Sequence, residues 1–196
     1  YTVEDVMNSK KLTDDLRLLN CSRPCTGSAS ILLASEEMVK KYTDMPIWIT
    51  GIGQKTTSAG FTKNISLSSM ESTKLAGQSA LKMANRNISE IDVAEVHDAF
   101  SVCEPMILES LGFTKPGEGM KMIKKLHETN NFMINPRGGL IGTGHPLGAT
   151  GISQTIEIVQ QLQKSAENRQ TDNPKIGLIH NMSAAATSST VLVVEK

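Results

Sequence analysis

One stretch, Asn135 to Gly151, constrains this chain more than any other. It reads N-P-R-G-G-L-I-G-T-G-H-P-L-G-A-T-G, with six glycines, two prolines and one histidine. Glycine costs about 0.5–1 kcal/mol relative to alanine inside a helix or strand. A run this dense therefore predicts turning backbone with φ > 0 or close approach to another group, not a regular element. Pro146 restricts His145 to an extended conformation, and Ala149 to Gln163 then reads as a helix. A histidine fixed just ahead of a helix start is positioned rather than merely tolerated. The bland alternative, a glycine-rich connection carrying a chance histidine, is the weaker reading.

The rest of the chain alternates strands and helices. Thr2 caps a short amphipathic helix. Ile31-Leu32-Leu33, after the small residues of Cys21 to Ser30, predict a buried strand. Ser35 caps a helix from Glu36 to Tyr42, acidic early and basic late as the helix dipole prefers. Ile47 to Gln54 is a strand and Thr56 to Ser68 a polar surface loop. Ser69 to Asn85 is a helix on its 3.6-residue apolar repeat. Ile91 to Val96 is a strand, and His97-Asp98-Ala99-Phe100 opens a helix that stops at Gly112. Thr114 to Asn131 reads as a surface excursion and Lys164 to Pro174 as a polar loop. Lys175 to Ile179 and the β-branched run Thr190 to Val194 are the last strands. The order β-α-β-α-β-α-β-β predicts an α/β fold: a mixed five-stranded sheet with helices on both faces.

Composition narrows the function. The 196 residues suffice for one buried core, and formal net charge is zero with 39% hydrophobic and 4% aromatic residues. Nucleic-acid binding is not expected without a basic excess or stacking aromatics. Membrane spanning is not expected either, because no apolar run approaches about 18 residues. Three cysteines and ten methionines point to a reducing, cytoplasmic setting. Cys21 and Cys25 read as small structural hydrophobes, their C-x3-C spacing being poor for zinc. No leader or peroxisomal ending is read, and the initial Tyr1 leaves a processed chain or a fragment open.

The segment around His145 resembles the G-H-P-x-G motif of thiolases. Its longer form is most similar to the sterol-carrier-protein-type branch and its archaeal acetyl-CoA acetyltransferase-like relatives. His97-Asp98-Ala99-Phe100 resembles the H-D-C-F motif of that branch, and His180-Asn181-Met182-Ser183 its H-N-L-G. The likeness spans nearly the whole chain but only the C-terminal half of a thiolase. It implies that residues 1–196 form that C-terminal domain, with 1–19 the tail of the preceding loop region. By the same resemblance His145 binds the thioester oxygen, His97 fixes an oxyanion-binding water, and Asn181 completes the catalytic set. Ser28, Gly144 and His145 would border coenzyme A, which enters as an acyl-CoA substrate with no bound metal or covalent cofactor. The cysteine nucleophile would lie in an N-terminal half, on the same original chain or on a partner, in a homo- or hetero-oligomer.

The sequence departs from the family at the acid/base thiol. Ala99 stands where H-D-C-F has cysteine, and Asn181 where other thiolases have the cysteine of C-x-G. Cys103, one helical turn beyond Ala99, is a weak substitute. Alternatives therefore stay open: a thiolase-like aldolase, or an inert subunit that pairs with another chain. Alanines at 184 and 185 replace glycines, and would narrow the site.

Overall fold

The computed structural model describes residues 1–58, 68–129, 131 and 133–196. Most of the expected loop from Thr56 to Ser68 lies outside the described residues. In chain order the helices and strands are α1 (Val3–Asn8), α2 (Glu36–Val39), β1 (Trp48–Thr56), α3 (Glu71–Ala84), β2 (Val93–Glu95), α4 (Cys103–Leu111), α5 (Gly119–Glu128), α6 (Gly139–Thr143), α7 (Thr150–Leu162), β3 (Ile176–Met182) and β4 (Ser188–Glu195).

The strands form one mixed sheet in the order β1-β4-β3-β2. β2 and β3 are parallel, whereas β4 is antiparallel to both β3 and β1. Strand alternation sends successive side chains to opposite faces. Ala94, Val96, Leu178, Val191 and Val193 therefore pack with Ala76 and Ala80 of α3 and Ile107, Leu108 and Leu111 of α4. Val93, Ile179 and Val194 pack on the other face with Ile158 and Leu162 of α7. Some helix ends follow the sequence and others do not: Ser35 makes no side-chain bond to cap α2, which stops at Val39, short of Tyr42. Asn85 and Gly112 adopt left-handed conformations after α3 and α4, and α1 carries a full capping box between Thr2 and Asp5.

Among the described residues the sheet has four strands, not five. The expected strand at Ile31-Leu32-Leu33 does not form, and these residues are exposed. The fifth sheet position is instead a single parallel bridge from Ala94 to Ile134. It is held by Ala94 N to Met133 O (2.7 Å) and Asn135 N to Ala94 O (2.8 Å). The run at 31–33 is apolar, but among the described residues it is left exposed. The excursion after Thr114 contains α5, whose Met122, Ile123 and Leu126 pack on the core. The glycine segment holds a short helix, α6, where only irregular backbone was expected.

Candidate functional site

The parallel strands β2 and β3 end on the same side of the sheet, where open α/β sheets collect their functional groups. β2 runs into His97, and β3 carries His180 and Asn181 near its end. Asp98 follows His97 and ties this turn to the glycine segment. Its buried carboxylate accepts hydrogen bonds from Leu140 N (2.6 Å) and Ile141 N (3.4 Å) in the first turn of α6. Gly139 has φ +62°, and a Cβ there would lie 2.1 Å from Asp98 Oδ2. No other residue type fits that approach.

The same geometry brings the two imidazoles together. The His97 and His145 ring centroids are 4.9 Å apart, with planes at 88°. An extended segment clamps both turns from outside. Ser22 N donates to Ala99 O (2.8 Å), and His145 N donates to Arg23 O (2.8 Å). Gly144, at φ +90°, gives Cys25 its room, since a Cβ there would sit 2.8 Å from Cys25 Sγ.

The start of α7 joins His145 to Asn181. His145 Nδ1 lies 2.7 Å from the Thr150 hydroxyl. The neighbouring Gly151 abuts the Asn181 side chain, whose Nδ2 donates to Gln154 Oε1 at 3.0 Å. His97 and His145 therefore share one corner, and Asn181 packs beside the same end of α7, against Gly151 and Gln154. Ser28 and Gly144 lie one layer out. Ser28 lines a shallow groove of about 380 Å³ with Cys25, Thr26, Pro146, Leu147 and Gly148, and Gly144 is the residue before His145.

Burial sets the electrostatics. Desolvation, reinforced by His145, lowers the His97 pKa to about 4. Burial also lowers His145, so both rings are neutral near pH 7. Below the corner is a second buried polar group. Glu95 is fully buried, and desolvation pushes its pKa to about 8 despite Arg137 at 3.9 Å. Glu104 is raised by burial to about 6 while accepting from Asn135 Nδ2 at 2.8 Å. Asn135 Oδ1 in turn accepts from Val96 N (2.8 Å). This network fixes the turn into His97. Among the described residues no cluster of His, Cys, Asp and Glu could hold a metal ion, and no helix is long and apolar enough to cross a membrane.

Two expectations about thiols change. Ala99 is not in a helix, because α4 begins at Cys103. Cys103 is therefore not one turn from Ala99 on a shared face, and its side chain is part of the hydrophobic core. Cys25, read as a small structural hydrophobe, is exposed and lies against Gly144. Sequence reasoning also missed Thr150 as a polar member of the corner, and the buried His180 behind it. Thr150 was legible, standing five residues after His145 at the start of a helix. His180 was read just beyond a strand ending at Ile179, whereas β3 runs on to Met182 and buries it.

Residues 53–196 match the family model described as thiolase C-terminal domain-like. The chain is 36% identical to the acetyl-CoA acetyltransferase of Methanothermobacter thermautotrophicus, over 100% of this chain and 51% of that protein. It is 34% identical to sterol carrier protein 2 of Bos taurus, over 93% of this chain and 35% of that protein. The chain thus spans about half, or less, of the curated relatives it matches. Among solved structures it resembles an Ltp2-ChsH2(DUF35) aldolase, with a TM-score of 0.83 at 20% identity over 100% of this chain and 51% of the other. That likeness concerns the fold alone.

Proposed function

This chain belongs to the thiolase C-terminal domain-like family, and we propose that it is the C-terminal half of an acyl-CoA enzyme of the acetyl-CoA acetyltransferase type. Residues 1–196 would form that half, with 1–19 the end of the loop region before it. The observation that carries the reading is the edge-to-face pair His97–His145. Two neutral imidazoles on turns tied together by Asp98 and by the segment at Ser22 and Arg23 suit the oxygen of a thioester carbonyl. In such chemistry a cysteine takes the acyl group, and donors aimed at the developing oxyanion lower the barrier. Each donor is worth about 10²–10³ in rate. The nucleophile would come from an N-terminal half, which the greater length of the relatives supports.

In this reading the Thr150 hydroxyl, 2.7 Å from His145 Nδ1 and 3.1 Å from the Pro146 carbonyl, gives its proton to the nearer Nδ1. His145 then carries its proton on Nε2 and donates it to the thioester oxygen. Asn181 would complete the polar lining. Ser28 and Gly144 would border the coenzyme A moiety along the shallow groove.

An N-terminal half also has a surface to cover. A groove of about 600 Å³ runs between Leu32, Leu33, Tyr42 and Trp48 on one side and Ile156 and Val159 of α7 on the other. Leu32 is 71% exposed and Leu33 70%. Apolar exposure on this scale marks an interaction surface, and the missing half is the occupant that the length of the relatives supplies.

The absence of an acid/base thiol at Ala99 and Asn181 favours a second reading, retro-aldol cleavage. That reaction removes a hydroxyl proton, breaks a carbon–carbon bond and protonates the resulting enolate. It needs the oxyanion donors but no acyl-cysteine. The two readings separate in one assay of the chain paired with its N-terminal half. Acetoacetyl-CoA with free coenzyme A should yield acetyl-CoA in the first, and a 3-hydroxyacyl-CoA should release a carbonyl compound in the second. If neither reaction occurs and no acyl-CoA binds, the chain is an inert subunit and the proposal fails.

A further inference from the structure

β2 ends at Glu95, and a side chain holds the backbone beyond it that leads to His97. The neighbouring segment pairs with β2 as a short parallel ladder: Ala94 N donates to Met133 O, and Asn135 N to Ala94 O. Bonds in such a ladder are evenly spaced, so the next would run from Val96 N to Asn135 O. That rung is not made. Asn135 turns the chain away at a left-handed φ of 48°, and its carbonyl accepts from Gly138 N instead, at 2.8 Å. The Asn135 side chain replaces the rung, its Oδ1 accepting from Val96 N at 2.8 Å. Asparagine tolerates positive φ better than most residues with a side chain, so one residue supplies both the turn and the rung.

This arrangement fixes the orientation of the amide. Val96 N is buried and can only donate, so the oxygen of Asn135 must face it. Nδ2 then points the other way and needs an acceptor. Glu104, in the first turn of α4, supplies it: Nδ2 donates to Glu104 Oε2 at 2.8 Å. An apolar side chain at 104 would strip Nδ2 of that partner, and a rotated amide would set one N–H against another at Val96. Among the described residues the charged group that bears on Glu104 is Asp98, in the turn after His97.

We propose that Glu104 is a positioning residue for His97, acting through Asn135. It locks the Asn135 amide onto Val96 N and so secures the strand end from which His97 projects, separately from the tie between Asp98 and α6. The inference deepens the reading of His97 and His145 as a pair that meets a thioester oxygen, and rests on that reading for its purpose. The positioning itself can be read with no thioester present.

The test follows the Overhauser contact between carbon-bound ring protons of His97 and His145 on the full chain, with circular dichroism reporting the fold. The unaltered chain should show the contact equally at pH 5 and pH 9. Glu104→Gln should keep it, because a carboxamide oxygen also accepts from Asn135 Nδ2, whereas Glu104→Leu should at least halve it. Asn135→Asp preserves the acceptor for Val96 N but sets two carboxyl groups against each other. Burial already lifts Glu104 to about 6, and a like charge beside it lifts it further. One shared proton should therefore keep the contact in Asn135→Asp at pH 5, and its loss should at least halve the contact at pH 9. Asn135→Asp combined with Glu104→Gln reverses the bond, the new amide donating to the new carboxylate, and should restore the contact at both pH values. A contact in Asn135→Asp that ignores pH, or one that the second substitution does not restore at pH 9, would overturn the proposal. So would an undiminished contact in Glu104→Leu; the pH response and the restoration decide the matter if that variant does not fold. If the contacts follow this pattern but no acyl-CoA binds, the proposed function fails and the positioning role stands.

Discussion

Substituting Gly139 with alanine should break the link that brings the two imidazoles together. The new Cβ would stand 2.1 Å from Asp98 Oδ2, at a backbone φ of +62°. Alanine in a left-handed conformation costs about 1–2 kcal/mol. Displacing the Asp98 carboxylate also forfeits its hydrogen bond to Leu140 N at 2.6 Å. A bond to a charged group is worth about 1.5–3 kcal/mol, and the longer bond to Ile141 adds little. The expected loss is about 3–4 kcal/mol, a large part of the 5–15 kcal/mol that holds a domain together. Gly142, three residues on in the same short helix, is the control. Nothing lies within 4 Å of a Cβ built there, so Gly142→Ala should be neutral or gain up to about 1 kcal/mol from helix propensity. Urea titration by circular dichroism gives both numbers, and a shared m-value makes them comparable. Proton Overhauser contacts between the rings of His97 and His145 report the site, and should weaken only in Gly139→Ala. Equal stability of the two variants, or intact ring contacts in Gly139→Ala, would refute the role assigned to Asp98.

Four further outcomes follow from the buried groups and surfaces. Glu95 is neutral in the fold up to about pH 8 but ionises near 4.5 when unfolded. Its contribution is therefore full below pH 4.5 and lost as pH rises toward 8, and Glu95→Gln should raise the melting temperature more at pH 8 than at pH 5. The imidazoles act on the other side: unfolding lets His97 and His180 protonate below about pH 6.5, whereas the fold keeps them neutral down to about 4 and 3. Stability should fall through that acid window by about 3 kcal/mol for His97 alone, and less in His97→Asn. Iodoacetamide should alkylate exposed Cys25 well before buried Cys103 by peptide mapping, with acyl-CoA slowing the reaction if the groove beside it borders the ligand. Ala185 holds a left-handed φ of 58°, so Ala185→Gly should gain about 1 kcal/mol in the same urea titration.

Much of the fold was legible because its signals are local. Short apolar runs gave β1, β2, β3 and β4, the apolar repeat gave α3 to within two residues, and the glycine after α4 gave its end, although that helix begins at Cys103 and not at His97. The failures have physical causes. Ile31-Leu32-Leu33 carries a strand's hydrophobicity, but a strand exists only where another strand offers hydrogen bonds, and no sequence pattern names that partner. Lysines on the outer face of α5 hid an inner face of Met122, Ile123 and Leu126 that packs on the core. At the candidate site, His97, His145 and Asn181 were marked by motif, and the pairing of the two imidazoles depends on Asp98 reaching across to α6. The buried hydroxyls behind His180 were invisible, since Ser72 and Thr73 meet Ser189, and Thr73 meets His180 Nε2, only when α3 lies against β4.

The most direct test of the central claim is isotope-edited infrared spectroscopy of bound [1-¹³C]acetyl-CoA, with the chain paired to its N-terminal half. If His145 and the water held by His97 grip the thioester oxygen, the carbonyl stretch should move to lower frequency on binding, and the shift should vanish in His145→Ala and shrink in His97→Ala. A bound carbonyl whose frequency matches that in water, or one unmoved by either substitution, would contradict the account.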